Sequence, residues 1–301
     1  MKCSDLTQPI LWTHQNGMKG LGIVAPPFSE QVFDWCNSFA FYGATIDVAG
    51  HLAGFNSIYE TYQWGFFWTA SSGMTVFGGS WPPTFVTGVN NRGQIVGQNA
   101  GYSEFTGSTV DTEFLGHATS WKEAGITAWD SGATDLGTLG GAADLGYPFG
   151  YSSSANGVND LGQVVGYSTT VPMYYGPAWV GWDGSVPIHA ILWAPSSGLS
   201  DLGTLTGDAF SAASKINLFG QVIGTSGNSA VFDQSSQRYK VVGRPFIWIR
   251  NSGMRELNTL IPPNSGWLLN TATDINIWGQ IVGTGTHNGQ THGFLLTPRV
   301  F

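Results

Sequence analysis

Short apolar runs alternate with polar positions along the whole chain, and the same turn signal keeps interrupting them. Five stretches share the pattern: Ile46–Ser57 (IDVAGHLAGFNS), Val89–Asn99 (VNNRGQIVGQN), Val158–Ser168 (VNDLGQVVGYS), Ile216–Ser226 (INLFGQVIGTS) and Ile275–Gly285 (INIWGQIVGTG). Each reads as strand, tight turn, strand. The turn opens on Asp47, Asn90, Asn159, Asn217 or Asn276, whose side chain caps a type I turn. It closes on Gly50, Gly93, Gly162, Gly220 or Gly279, where a left-handed residue gives the hairpin its twist.

A second hairpin lies between these. Its first strand ends in Trp, and a Gly follows after a fixed step: Trp12 to Gly17, Trp68 to Gly73, Trp193 to Gly198, Trp248 to Gly253. A constant step across a turn sets strand register. A further copy over Thr119–Gly137 carries an insertion at its turn, and a truncated one ends the chain at His292–Thr297. Naming the strands a to d, the cycle is four antiparallel strands. It repeats over 69, 58 and 59 positions, counted from Gly93 to Gly162, Gly220 and Gly279.

That cycle predicts an all-β fold, a β-propeller of four-stranded antiparallel blades filling residues 1–301 as a single domain. Five blades are expected, with six, one of them deficient, as the alternative. One blade leaves its faces bare, so neighbours must stack.

Composition narrows the picture. Only 10% of residues are charged, against 43 Gly and 13 Trp, which suits short strands and turns rather than helices. The net charge of −8 and unclustered Lys and Arg argue against nucleic acid. No apolar run approaches a membrane-spanning length, and the N-terminus MKCSDLTQPILW has no signal-peptide core. Cys3 and Cys36 form a disulfide in an oxidising compartment and stay thiols in the cytosol, and both readings stand.

The chain resembles the HAF repeat family of extracellular bacterial repeat proteins. The likeness rests on His189–Trp193 (HAILW), Gly198–Leu205 (GLSDLGTL), Asp135–Leu139 (DLGTL) and Ile216–Gly224 (INLFGQVIG), and it extends over nearly all the chain outside the inserts. It implies an extracellular or secreted setting and no catalytic residue. The absent signal peptide departs from it, so a cytoplasmic setting stays open.

Candidate chemistry is sparse. The Trp ending strand c recur by architecture and are expected to pack between blades. His117, His189 and His292 lie at equivalent blade positions around a ring, which disfavours a shared metal, and no cofactor is expected. No nucleophile elbow, P-loop or His-Glu-x-x-His occurs.

The a–b turns, and all c–d turns but one, are tight. The b–c and d–a connections hold the insertions, and in an antiparallel blade both emerge at one end. Those loops carry Tyr59, Tyr62, Trp64, Trp81, Tyr102, Phe105, Tyr174, Tyr175, Trp179, Trp182 and Trp267 as expected ligand-binding residues, with Phe232 and Tyr239 in the same set. An aromatic, charge-poor rim favours a neutral glycan or other small neutral or apolar ligand. The alternative is an enzyme of the cyclase, pericyclase or isomerase type, working on an apolar small molecule. Its acid, base or donor candidates are Glu104, Asp111, Asp183, Tyr175 and His14. A structural or adhesion repeat is the third reading. The pattern does not set the oligomeric state.

Overall fold

The structure is a computed structural model. It describes residues 10–13, 17–21, 39–58, 62–78, 84–100, 116–122, 132–140, 149–174, 186–233 and 238–298. The chain divides into two compact units, Met1–Asp135 and Leu136–Phe301.

The first unit opens with a hairpin, β1 (Ile10–Thr13) and β2 (Gly17–Gly20). The first sheet follows: β3 (Phe39–Ile46), β4 (Leu52–Ile58), β5 (Tyr62–Thr69) and β6 (Gly73–Phe77), in that order. The second sheet has the same order: β7 (Thr84–Val89), β8 (Gln94–Ala100), β9 (Gly116–Lys122) and β10 (Thr134–Asp135). Strand β7 lies against β3, β4 and β5, and the two sheets bury Ala53, Phe67, Phe77, Val86, Ile95 and Trp121 between them. Phe77 meets the Trp121 ring at 5.4 Å.

In the second unit, β11 (Phe149–Gly150) leads into the third sheet, β12 (Ser153–Val158) and β13 (Val164–Thr169). A short β14 (Met173–Tyr174) returns to pair with β11. The third sheet is completed by β15 (Ile188–Ala194) and β16 (Gly198–Gly203). The fourth holds β17 (Phe210–Ile216), β18 (Val222–Asp233), β19 (Arg238–Ile249) and β20 (Gly253–Glu256). The fifth has three strands: β21 (Trp267–Ile275), β22 (Ile281–His287) and β23 (Gln290–Leu296). Apart from one short 3-10 turn at Leu257–Leu260, the described regular structure is all β. Five antiparallel sheets of three or four strands make the fold propeller-like, as the repeat predicts.

The turn grammar is borne out in detail. In the fourth sheet the Gly220 N–H donates to the Asn217 carbonyl, and the Asn217 N–H to the Gln221 carbonyl. The Asn217 Oδ1 accepts from the Phe219 and Gln221 amides. The closing glycines all have φ between 67° and 83°.

Three devices hold the sheets of the second unit to the segments beside them. The first is the turn asparagine: Asn159 Nδ2 donates to the Asn217 carbonyl at 2.9 Å, and Asn217 Nδ2 to the Asn276 carbonyl at 3.0 Å. The second is the Asp-Leu-Gly-Thr-Leu segment after strand d. Leu139 N–H donates to Ser168 Oγ and Leu205 N–H to Ser226 Oγ, both at 3.0 Å. Ser153 and Ser211 hydroxyls donate back to the Gly137 and Gly203 carbonyls. At the next step Asn258 replaces that glycine, and its side chain bonds both backbone groups of Leu269. The third is apolar: Leu192, Leu202, Ala213, Val222 and Phe246 are buried between the third and fourth sheets, and Ile223, Leu257, Leu269 and Ile275 between the fourth and fifth.

The first strand of each of the five larger sheets carries a bulge. Register shifts fall between Ala155 and Gly157, and between Ala213 and Lys215, with counterparts in the other three sheets. Opposite the bulge stands the last glycine of each Gly-Gln-x-x-Gly run. A Cβ on Gly166 would lie 1.8 Å from the Ser154 carbonyl oxygen, and one on Gly224 2.1 Å from that of Ala212. A methyl group there has no room.

Candidate functional site

In each sheet the residue four places before the end-of-strand aromatic or Leu on strand c has a distinct fate. The position holds Trp64, His117, His189, Arg244 and His292. His117 Nδ1 bonds Asp135 Oδ2 at 2.7 Å, and His189 Nδ1 bonds Asp201 Oδ2 at 2.8 Å. The carboxylate comes from the Asp-Leu-Gly run on strand d, so each imidazole is held within its own sheet. Burial works against the Asp201 carboxylate, but the His189 ring and the Gly203 N–H outweigh it and keep its pKa below the ordinary value. In the fourth sheet both partners change: Arg244 Nη1 pairs with Glu256 Oε2 at 2.7 Å and Nη2 with Asp208 Oδ1 at 2.9 Å. Hydrogen bonding to Asp208 raises the guanidinium pKa. His51 likewise pairs with Asp47 at the first turn. His51, His117 and His189 thus each have a carboxylate partner, and no metal-sized cluster occurs among the described residues.

His292 differs. The fifth sheet stops at β23, so no strand d brings it a carboxylate among the described residues. It stands 6.2 Å from Trp267 and 6.4 Å from His287, ring centre to ring centre and steeply tilted to both. Trp267 and His287 face each other across β21 and β22 and stack at 4.8 Å with 22° between their planes. The indole lies over Gly285, where a Cβ would approach it to 3.2 Å. Trp267 and His287 are half-buried and His292 is exposed. This aromatic group sits at the b–c and d–a end of its sheet, the end expected to bear the long connections.

Of the other expected ligand-binding residues, Trp64 is only 3% exposed. It fills the His position of the first sheet, and its ring is spent on packing. Tyr62 starts β5 opposite Ile58, and Tyr174 ends β14 opposite Phe149. Tyr59, Trp81, Tyr102, Phe105, Tyr175, Trp179 and Trp182 lie outside the described residues. So do the catalytic candidates Glu104, Asp111, Asp183 and His14, and both Cys3 and Cys36.

The b–c connections are less uniform than expected. In the fourth sheet β18 and β19 run on as a paired extension as far as Asp233 and Arg238, with Phe232 opposite Tyr239. Val241 and Ala230 from this extension are buried with Tyr167, Ile188 and Phe210. The Tyr239 amide donates to the Tyr167 hydroxyl at 2.9 Å, and Arg238 reaches Asn156. Burial raises the Tyr167 pKa and lowers that of Arg238. In the fifth sheet the connection is a two-residue turn with Asn288 at φ 51° and Gly289 at φ 81°, the conformation that suits tight hairpins.

The His–Asp pairs escaped sequence reading, although the signal was there. His117 and His189 each precede an Asp-Leu-Gly-Thr-Leu run in the same repeat, and where His gives way to Arg244, Asp gives way to Glu256. No family model matches this chain, and no curated protein matches it either.

Proposed function

We propose that the chain is a binding module for a neutral ligand, a glycan or similar polyhydroxylated molecule, taken up at the loop-bearing end of the sheets. The observation that carries this reading is the half-buried Trp267, braced by His287 and seated over Gly285 at that end. A fixed indole offers a flat apolar surface to a sugar ring at little entropic cost. Several ionisable groups on strands c and d are held in pairs, His117 with Asp135, His189 with Asp201 and Arg244 with Glu256. The resemblance to HAF repeats adds an extracellular setting to the proposal.

The test is calorimetric titration with a panel of neutral oligosaccharides, read alongside tryptophan fluorescence. Binding that Trp267→Ala weakens about tenfold, as expected for the loss of one stacking ring, supports the reading. No heat and no fluorescence change at millimolar sugar would remove it.

A further inference from the structure

Among the described residues, the fifth sheet alone of the five ends on a strand c. In the third and fourth sheets strand c is covered along its outer edge by β16 or β20. In the fifth no described strand pairs with the outer edge of β23. That edge, Gln290-Thr-His-Gly-Phe-Leu-Leu296, holds no Lys, Arg, Asp, Glu or Pro, the residues that commonly protect an open edge. The outer strands β16 and β20 do carry such charges, Asp201 and Arg255, both exposed.

We propose that β23 is an acceptor edge for an extended peptide strand carrying a carboxylate, which adds to the fifth sheet as its fourth strand and pairs with His292. The sibling sheets specify the partner. In the third sheet Gly198 lies opposite Ala194, Leu199 opposite Trp193, and Asp201 opposite Ile191, from where its carboxylate meets His189. In the fourth, Gly253 lies opposite Ile249, Met254 opposite Trp248 and Glu256 opposite Phe246, from where its carboxylate meets Arg244. Transferred to β23, the register puts Gly opposite Thr297, an apolar residue opposite Leu296 and the acid opposite Phe294. The acid then lies on the same sheet face as His292, because directly paired residues share a face and so do residues two apart. The partner is therefore a strand of the form Gly-apolar-x-Asp/Glu. Main-chain hydrogen bonds supply its affinity, and the imidazole supplies the choice of an acid. The chain's own β2, Gly17-Met-Lys-Gly20, has the glycine and the apolar residue but Gly20 where the acid belongs, so it does not meet this specification.

The experiment uses the full chain and a fluorescein-labelled synthetic peptide with the sequence of Gly198–Leu205, GLSDLGTL, followed by fluorescence anisotropy. The expected result is saturable binding, weakened about fivefold by His292→Ala in the chain and equally by the Asp201→Asn version in the peptide. The two changes together should weaken it no further than either alone, since both break one pair. The peptide substitution leaves the chain intact, so the result does not hinge on the folding of the His292 variant. Amide exchange gives a second readout: N–H groups of β23 that point away from β22 should exchange fast in the free chain and slow when peptide is bound. Absence of binding at millimolar peptide overturns the proposal. So does slow exchange of those same amides in the free chain, whether the edge is filled by another segment or by a second copy.

Discussion

At the scale of single residues, two kinds of glycine and one asparagine decide whether a hairpin forms and stacks. Asn217 uses its Oδ1 on two amides of its own turn and its Nδ2 on the next turn, and it is buried. Asn217→Ala should cost about 2–3 kcal/mol in urea unfolding, because buried amides and a carbonyl lose their partners. Asn276 makes the same local bonds but is exposed, so water replaces what Ala removes, and Asn276→Ala should cost about 1 kcal/mol or less. Equal losses at the two sites would show that the bond between turns contributes nothing. For the glycines, Gly220→Ala forces a side chain to φ 75° and should cost about 1–2 kcal/mol. Gly166→Ala drives a methyl into the Ser154 carbonyl and should cost about 3 kcal/mol. The first glycine was legible in the sequence, since Asn-x-x-Gly is local turn chemistry. The reason for the second was not, because it lies across the sheet, in a bulge that no run of letters announces.

At the scale of elements, the repeats of this chain keep a pair of opposite charge or hydrogen-bonding partners rather than particular residues. The third and fourth sheets use His–Asp and Arg–Glu for the same junction between strands c and d. Asp201, its pKa held down in the folded chain, adds stability above its unfolded value of 3.8 and loses it as pH falls through the lower folded value. Asp201→Asn should therefore flatten the part of the stability curve below about pH 4 and leave its shape unchanged near pH 8. At the other end of the scale, the Tyr167 hydroxyl is buried and its pKa raised above 10.0. The stability it protects is complete below that value and lost as pH rises through the folded one. Tyr167→Phe should unfold less steeply in alkali while costing about 1–2 kcal/mol at neutral pH, where the Tyr239 amide is left without its acceptor. Spectrophotometric titration combined with denaturation at each pH checks both. The Tyr239 side of this contact was placed in a loop by sequence reading. The letters around Phe232 and Tyr239 carry no pairing signal, whereas the paired extension is held by Tyr167, some 70 residues earlier in the chain. Trp64, four places before Trp68, stands at the His position of the first sheet and is buried, a placement that its aromaticity alone does not reveal.

At the scale of the whole chain, the strand order and the repeat length were legible because each hairpin carries its own punctuation. The connections were not, since their lengths vary from the two-residue turn at Asn288–Gly289 to long inserts with no repeated letters. What the repeat conceals is that its last member is unlike the rest. The fifth sheet is bare along one face, with Leu268, Val282 and Leu295 exposed, and its turn tip presents Trp278 at 73% exposure.

The asparagine relay has a direction. The third sheet's turn depends on the fourth, and the fourth's on the fifth, while the fifth depends on nothing described beyond it. Loss of structure in this unit accordingly has a preferred starting point. A protease given brief access should nick around Trp278 before it cuts at Phe219 or Leu161, and each cut should expose the next site in turn. Such a chain comes apart in sequence from its tail, like a row of guards in which only the rearmost has no one watching its back.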